Sequence, residues 1–313
     1  MITTTEGSFD TLLEYFDHMA DILGYPPYHH HFTSDTVMSD GLKLHIDVYE
    51  HSSKAPTVVF VPGTAIYSLC YAEILYKIGQ AGYNVIGLDP RGHGQSEGPR
   101  GDYTIPELMT DVTNTIDYAN RRFGKKVSLM GSSQGGIIAL YMAARESRLD
   151  TVVCQNFADL TSEEATSLTR HPKLFKYMRM LIGGAASDLI PNAMIPMSAY
   201  IDMDSIPVRH FGNIRLFIEN DPLAVKNISI RALQSLGSTA TDIPIEEIKT
   251  PILVFQGDAD SIFPVAFTQK IYDRLNGKKQ FTIFPDMSHA LMSENVDEIL
   301  PTIVAWLREV YKK

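Results

Sequence analysis

Residues 126–145 read KVSLMGSSQGGIIALYMAAR: an apolar strand pattern, a turn rich in glycine and serine, and an apolar helix pattern. A serine on a sharp strand-to-helix turn is held clear of the sheet, and the turn requires glycines two residues before and after it. Gly131 and Gly135 have that spacing about Ser133, but not about Ser132. The new helix also directs its N-terminal amides and dipole at charge that develops beside the serine. The stretch therefore predicts Ser133 as a catalytic nucleophile.

A serine hydroxyl is a weak nucleophile and needs a base, which in turn needs a carboxylate to orient it. After a turn of this kind, the acid and then the base follow along the chain, in loops after the last two strands. Strand patterns at 252–255 and 281–284 are each followed by a polar loop. His289 lies in the second loop and is the only histidine after position 210, so we predict it as the base.

The orienting carboxylate has more than one candidate. Asp258 and Asp260 both lie in the first loop, and Asp286 in the second is a more distant third. The spacing G-x-x-D from Gly257 favours Asp260, and Asp258 is expected to cap the turn.

An oxyanion hole requires two backbone amides. The residue after the nucleophile supplies one, which is Gln134 here, and the loop after the first core strand supplies the other. Within that loop, residues 61–65, the amide of Thr64 is our candidate, and its side chain is not required.

Strand and helix patterns alternate along most of the chain, which predicts an α/β fold with a mostly parallel sheet and helices on both faces. The predicted strands, each buried on both faces, are 57–61, 84–88, 126–130, 151–154, 252–255 and 281–284. The predicted helices are 69–80, 106–122, 133–145, 264–275 and 295–310. Before them, an apolar stripe from Phe9 to Leu23 predicts a helix that ends at Gly24, and residues 33–49 predict a hairpin.

One region interrupts this alternation and predicts an inserted helical cap before the last two strands. The predicted division is residues 1–157 as the first part of the core, 158–220 as the cap and 221–313 as the rest of the core. The cap is rich in methionine, a flexible apolar side chain suited to lining a pocket for a variable acyl chain. Met178 and Met197 are the predicted pocket residues, although packing of the cap onto the core would explain them almost equally well.

Composition excludes several classes of protein. The 313 residues carry 27 Lys and Arg against 37 Asp and Glu, a net charge of −10, which argues against nucleic acid and anionic membranes as partners. The longest apolar run, Gly135 to Ala144, is too short to span a membrane. Two cysteines and no targeting signal favour a reducing, cytoplasmic location. Three adjacent histidines, 29–31, cannot face one ion on an extended chain, so no metal is expected.

Further motifs resemble the α/β-hydrolase superfamily over nearly the whole chain. Residues 89–96, DPRGHGQS, are similar to the superfamily's D-x-R-G-x-G-x-S loop. Residues 98–103 and 220–223 resemble the serine aminopeptidase-like branch, which includes monoacylglycerol lipases and lysophospholipases. Pro62-Gly63 replaces the usual His-Gly of the oxyanion loop, and the N-terminal helix has no counterpart in the superfamily pattern. The resemblance implies that His93 orders its turn and is not a second base.

These observations predict a serine hydrolase that cleaves a small-molecule carboxylic ester with an apolar acyl or alkyl part, without cofactor or metal. An aminopeptidase or an acyltransferase would use the same triad of Ser133, Asp260 and His289. An aminopeptidase would also need a cap carboxylate for the substrate amine, and the available ones are Glu163, Glu164, Asp188, Asp202 and Asp204. A non-catalytic binding protein that kept the fold is the alternative from another class. The oligomeric state is left open.

Overall fold

The computed structural model describes residues 2–3, 8–173 and 190–312, and its largest element there is an eight-stranded sheet. The strands are β1 (Thr33–Ser39), β2 (Leu42–Tyr49), β3 (Thr57–Val61), β4 (Asn84–Leu88), β5 (Val127–Ser132), β6 (Leu149–Gln155), β7 (Ile252–Gly257) and β8 (Lys279–Phe284). Their order across the sheet is β1-β2-β4-β3-β5-β6-β7-β8. The pairs β1–β2 and β2–β4 are antiparallel, and all other neighbours are parallel. The predicted α/β fold with a mostly parallel sheet is confirmed.

Helices cover both faces of the sheet. They are α1 (Leu12–Leu23), α2 (Ala72–Gln80), α3 (Ile105–Phe123), α4 (Gln134–Arg145), α5 (Met197–Tyr200), α6 (Ile214–Asn220), α7 (Ile230–Ser238), α8 (Val265–Arg274), α9 (Leu291–Glu294) and α10 (Val296–Tyr311). Alternate residues of the central strands face opposite sides. Val59 and Val61 of β3 join a core with α3 and α4, whereas Val58 and Phe60 join a second core with α2 and α10.

The edge strand β8 differs from the prediction. Residues 281–284 were predicted to be buried on both faces, but β8 begins earlier and is half-exposed along its length, with Ile283 43% exposed. Its position explains the difference, because β8 pairs only with β7 and leaves its other edge uncovered by a strand. The inner strands β3, β4 and β5 are buried at every residue, as predicted.

The predicted cap contains short strands that its sequence did not indicate. Within its described parts, Met194–Pro196 pairs with Asn227–Ser229, and Pro207–Val208 pairs with Gly212–Asn213. Short 3₁₀ turns at Glu163–Leu168 and Met203–Ser205 accompany α5 and α6. Strands of two or three residues have no detectable periodicity, and their pairing depends on the surrounding structure. The division at residues 157 and 220 stays a prediction, and Met178 lies outside the described residues.

The N-terminal helix α1 forms as its sequence predicts. The Thr11 side chain accepts from the amide of Glu14 at the start, and Gly24 ends the helix with a φ of 69°. Tyr15, Met19 and Ala20 are its buried residues. A 3₁₀ turn at Tyr28–His31 follows. No helix among the described residues has both the length and the apolar character needed to cross a bilayer.

Candidate active site

Ser133 lies between the end of β5 and the start of α4, in a conformation that few side chains adopt. Its φ of 55° and ψ of −114° fall outside the usual regions, and such strain is held in place by the packing around it. A Cβ on Gly131 would collide with the backbone of Gly135, and one on Gly135 would collide with the backbone of Val61. The two glycines are therefore required because backbone segments pack directly against each other. The turn leaves Ser133 partly exposed at the end of the sheet.

The structure brings Ser133, His289 and Asp260 together. His289 Nε2 lies 3.0 Å from Ser133 Oγ, and His289 Nδ1 lies 2.9 Å from Asp260 Oδ2. A carboxylate only accepts hydrogen bonds, so Nδ1 donates its proton to Asp260 and leaves Nε2 to accept from the serine hydroxyl. The imidazole also stacks on Phe263, with ring centroids 5.7 Å apart and planes within 4°. The ring is held in the tautomer that a general base requires.

The carboxylate of Asp260 is buried and fully engaged. Its Oδ1 accepts from the amides of Ile262 and Phe263, each at 2.9 Å, and its Oδ2 accepts from Asn156 Nδ2 at 2.8 Å. These donors occupy both carboxylate oxygens and hold Oδ2 facing the histidine. Asp260 is therefore positioned by a turn and by the loop after β6.

The other two candidate carboxylates lie elsewhere. Asp258 is exposed, and its Oδ1 accepts from the amide of Asp286 at 2.7 Å, so it links the two loops in a turn-capping role. Asp286 is itself exposed and has a positive φ of 57°. Neither contacts His289 through its carboxylate among the described hydrogen bonds.

The two amides predicted for an oxyanion hole are linked through their side chains. Gln134 is the first residue of α4, so its amide has no acceptor within the helix. The hydroxyl of Thr64 donates to Gln134 Oε1 at 2.5 Å, and the hydroxyl of Tyr103 donates to the same oxygen at 3.1 Å. The Thr64 side chain thus ties the loop after β3 to the start of α4, which is a contact that the sequence did not indicate.

A second set of hydrogen bonds connects the parts of the site, and sequence reasoning missed it. The amide of Gly63 donates to Tyr71 Oη at 3.3 Å, and that hydroxyl donates to Ser132 Oγ at 3.0 Å. Ser132 donates to Gln155 Oε1 at 2.7 Å, and Gln155 Nε2 donates to the carbonyl of His289 at 2.6 Å. This chain joins the loop after β3, the turn at Ser133 and the loop that carries His289. No spacing rule in the sequence could have identified it, because its five members come from five separate elements.

A cavity of about 80 Å³ opens at Ser133 and His289. Apolar side chains form much of its wall: Ile201, Met203, Ile206, Ile214, Ile218, Ile262 and Met292. Of the two predicted pocket residues, Met197 is not in the described lining, because its side chain is buried in the core at 1% exposure. Isoleucine is thus the most frequent residue in the described wall.

One group of side chains has the composition of a metal site. Ligand atoms of Asp17, His29 and His30 lie within 4.8 Å of one another, and Asp17 Oδ1 is 3.0 Å from His29 Nε2 and 2.7 Å from His30 Nε2. The histidine run forms a 3₁₀ turn, so the expectation of an extended chain there was wrong. Burial lowers the pKa of His29, which leaves it neutral and able to share Asp17 with His30. Hydrogen bonding to the carboxylate accounts for the arrangement.

His93 lies in the turn after β4. Its side chain is buried, Nδ1 donates to the carbonyl of Arg91 at 2.9 Å, and the ring packs against Tyr103. Burial lowers the pKa of His93 to about 4, so the imidazole is neutral at pH 7.

Comparison with known proteins identifies the family. The model of the serine aminopeptidase S33 family matches residues 52–296. A monoacylglycerol lipase of Mycolicibacterium smegmatis is 23% identical over 281 residues, which cover 85% of this chain and 93% of that protein. The chain belongs to the serine aminopeptidase S33 family, and the resemblance seen in the sequence motifs is confirmed.

Solved structures share the fold. The crystal structure of Paleococcus ferrophilus monoacylglycerol lipase matches with a TM-score of 0.67 at 23% identity, covering 85% of this chain and 99% of that one. A soluble variant of Saccharomyces cerevisiae monoglyceride lipase, in complex with a substrate analog, has a TM-score of 0.71 at 16% identity and covers 88% and 94% respectively. At these identities the likeness shows the α/β-hydrolase fold alone.

Proposed function

We propose that this member of the serine aminopeptidase S33 family is a serine hydrolase that cleaves carboxylic esters with an apolar acyl or alkyl part. The observation that carries the proposal is the hydrogen-bonded series Ser133, His289 and Asp260, with distances of 3.0 and 2.9 Å, at the mouth of an apolar cavity. The monoacylglycerol lipase named above supports the choice of an ester substrate.

The proposed mechanism follows from the proton positions. His289 Nε2 takes the proton of Ser133 as Oγ attacks the ester carbonyl, and Asp260 stabilises the imidazolium that forms. The amides of Gln134 and Thr64 donate to the oxyanion, and one such donor typically contributes about 10²–10³ in rate. The histidine then gives its proton to the leaving alcohol. Water, deprotonated by the same histidine, releases the acid from the acyl-enzyme.

The lining of the cavity favours an ester over a peptide with a free N-terminus. An aminopeptidase needs a buried carboxylate to pair with the substrate amine, since an unpaired charge is costly to desolvate. Among the described residues that line the cavity at Ser133, none carries a carboxylate. Asp204, one of the candidates for that role, is paired with Arg215 at 2.6 Å on the exposed side of the cap.

The test uses adjacent serines as variant and control. Ser133→Ala should lose about 10⁶ in kcat for p-nitrophenyl butyrate and should no longer be labelled by a fluorophosphonate probe. Ser132→Ala removes a hydroxyl of the same turn that bonds to Gln155, and should lose at most about tenfold. Retention of activity and labelling by Ser133→Ala would assign the nucleophile elsewhere. Hydrolysis of amino-acid arylamides in preference to every ester would make the protein a peptidase.

A further inference from the structure

Two cavities lie side by side and share part of their walls. The cavity at Ser133 has a volume of about 80 Å³, which is far below the roughly 300–1,000 Å³ of typical ligand pockets. A second cavity has a volume of about 380 Å³ and falls within that range. Ile66, Tyr71, Ile214, Met292 and Ser293 line both. An ester with a long apolar chain cannot be held in the first cavity alone, and the second lies directly behind these shared side chains.

The outer wall of the larger cavity comes from the N-terminal segment. The residues of that segment that line it include Phe16, Met19, Leu23, Tyr25, Pro26 and Tyr28. The lining also includes Leu69, Cys70 and Ala72, from the 3₁₀ turn before α2 and the first residue of that helix. Val208 and Phe217, from the predicted cap region, line it as well. Residues 8–31 lie outside the span 52–296 that matches the family. This cavity is therefore completed by a segment that the family match does not include.

The N-terminal segment is held firmly enough to serve as a wall. Phe16 packs against Tyr67 of the core with ring centroids 6.1 Å apart, and Tyr28 packs against Tyr76 at 5.2 Å. Asp17 of α1 bonds to His29 of the following turn at 3.0 Å, which closes the segment on itself. These contacts anchor α1 to the core and fix the apolar side of the helix towards the cavity.

The side chains that line both cavities come from loops and helices and not from the sheet. Met292 is buried but unbranched, and Ile66 and Ile214 are each partly exposed. Methionine changes rotamer at low cost, so a chain can displace it more readily than a rigid side chain. Charged residues, among them Glu73, Arg209 and Asp297, lie on the same lining, and Asp297 faces solvent. The lining of the cavity is thus mixed, with apolar side chains from α1 and charged side chains of which Asp297 is exposed.

We propose that the cavity under α1 binds the apolar chain of the ester, and that residues 8–31 set the chain length the enzyme accepts. This inference rests on the proposed function, because it places the ester carbonyl at Ser133. A chain that passes the partition exchanges water for the side chains of Phe16, Met19 and Leu23. Each buried methylene then raises kcat/KM roughly fourfold until the cavity is full.

The experiment fills the cavity from one face of α1 and uses the other face as control. Leu23→Trp replaces a lining side chain with a larger one, an indole ring. Leu13→Trp makes the same substitution on the exposed face of α1, where the leucine side chain is 51% exposed. The readout is the ratio of kcat/KM for p-nitrophenyl decanoate to that for the acetate. Leu23→Trp should lower this ratio at least about tenfold, equivalent to the exclusion of two methylenes, and Leu13→Trp should leave it unchanged. Cys70→Phe fills the cavity from the core side and should have the same effect if Leu23→Trp does not fold.

A second series decides which side of the ester occupies the cavity. Alkyl acetates from methyl to decyl lengthen the alcohol in place of the acyl group, and only the series whose long chain enters the cavity should respond to Leu23→Trp. Equal ratios for the wild type and both cavity-filling variants, in both series, would overturn the inference while leaving the hydrolase intact.

A binding measurement separates this failure from that of the proposed function. In the Ser133→Ala background, calorimetry should show decanoic acid binding at least about tenfold more weakly after Leu23→Trp than after Leu13→Trp. Loss of that difference would overturn the proposal that the cavity under α1 binds the apolar chain. Absence of ester hydrolysis by the wild type, with the binding difference preserved, overturns the proposed function alone.

Discussion

The turn at Ser133 and the wall that α1 contributes border two adjoining cavities, yet they are held by different means. Around the turn, backbone packs on backbone and short hydrogen bonds join the loops, as Gly131, Gly135 and Asp260 illustrate. The wall under α1 is assembled from ring contacts and partly exposed apolar side chains such as Phe16 and Leu23. Hydrogen-bonded backbone fixes atoms to a few tenths of an ångström, whereas apolar contacts are non-directional. Chemistry requires the first kind of order and accommodation of a chain tolerates the second.

The largest expected effect tests the hydrogen-bonded loops around Ser133. Asp260→Asn should reduce kcat by about 10⁴, because the amide can hold His289 in the tautomer that cannot accept the serine proton. Asp258→Asn removes only a turn contact with the amide of Asp286 and should cost less than about tenfold. Steady-state kinetics on p-nitrophenyl butyrate measure both. A larger loss in Asp258→Asn than in Asp260→Asn would show that the loop is arranged differently in the working enzyme.

The next prediction concerns the free energy of unfolding. It compares His93, in the loops of the core, with His29, in the N-terminal segment. His93 is buried among core loops with a pKa lowered to about 4, below the ordinary value of 6.5. The native state therefore resists protonation, so stability is full above pH 6.5 and falls as the pH decreases from 6.5 towards 4, by roughly 3 kcal/mol at most. His93→Gln should remove this loss in urea unfolding measured against pH. His29 lies in the 3₁₀ turn after α1 and is bonded to Asp17, which opposes the effect of burial on its pKa, so its replacement by Gln should have a much smaller effect.

The pH dependence of the His93→Gln variant must be compared with that of the wild type, because a second buried group, Asp89, also affects stability in this pH range. Burial and the nearby Asp47 raise the pKa of Asp89 to about 6, above its ordinary value of 3.8. The native state therefore binds this proton more tightly, and acidification through the same range stabilises it. The difference between His93→Gln and wild type isolates the histidine. An unchanged pH dependence in His93→Gln would show that His93 is not held neutral by the fold.

The smallest effect tests the hydrogen-bond chain behind the nucleophile. Tyr71→Phe keeps the ring but removes the hydroxyl that accepts from Gly63 and donates to Ser132, so kcat should fall about tenfold with KM less affected. Tyr49→Phe removes a hydroxyl that bonds to Gln80 at the surface and should leave kcat unchanged. Equal kcat values in the two variants would mean that packing alone holds the loop after β3.

Much of the architecture could be read from local pattern. The inner strands 57–61 and 84–88 have the predicted bounds, since a strand with helices on both faces is a continuous apolar run. The half-exposed edge strand β8 was wrongly predicted as buried, because a short apolar run does not reveal whether a neighbour covers it. Short strands such as Met194–Pro196 were missed because two or three residues carry no period.

The sequence by itself determined the elements that local chemistry specifies: the glycine spacing around Ser133, the helix end at Gly24 and the order in which the site residues follow. The spacing from Gly257 already favoured Asp260 over Asp258 and Asp286. Tertiary structure supplied the contacts that hold its carboxylate against His289, among them the amides of Ile262 and Phe263. It also decided that Met197 is absent from the described lining of the cavity at Ser133, where isoleucine is the most frequent residue, and that α1 contributes to the wall of a second cavity beside it. The physical reason is that backbone geometry is encoded by neighbours in the chain, whereas a cavity is bounded by side chains that are distant in sequence and meet only on folding.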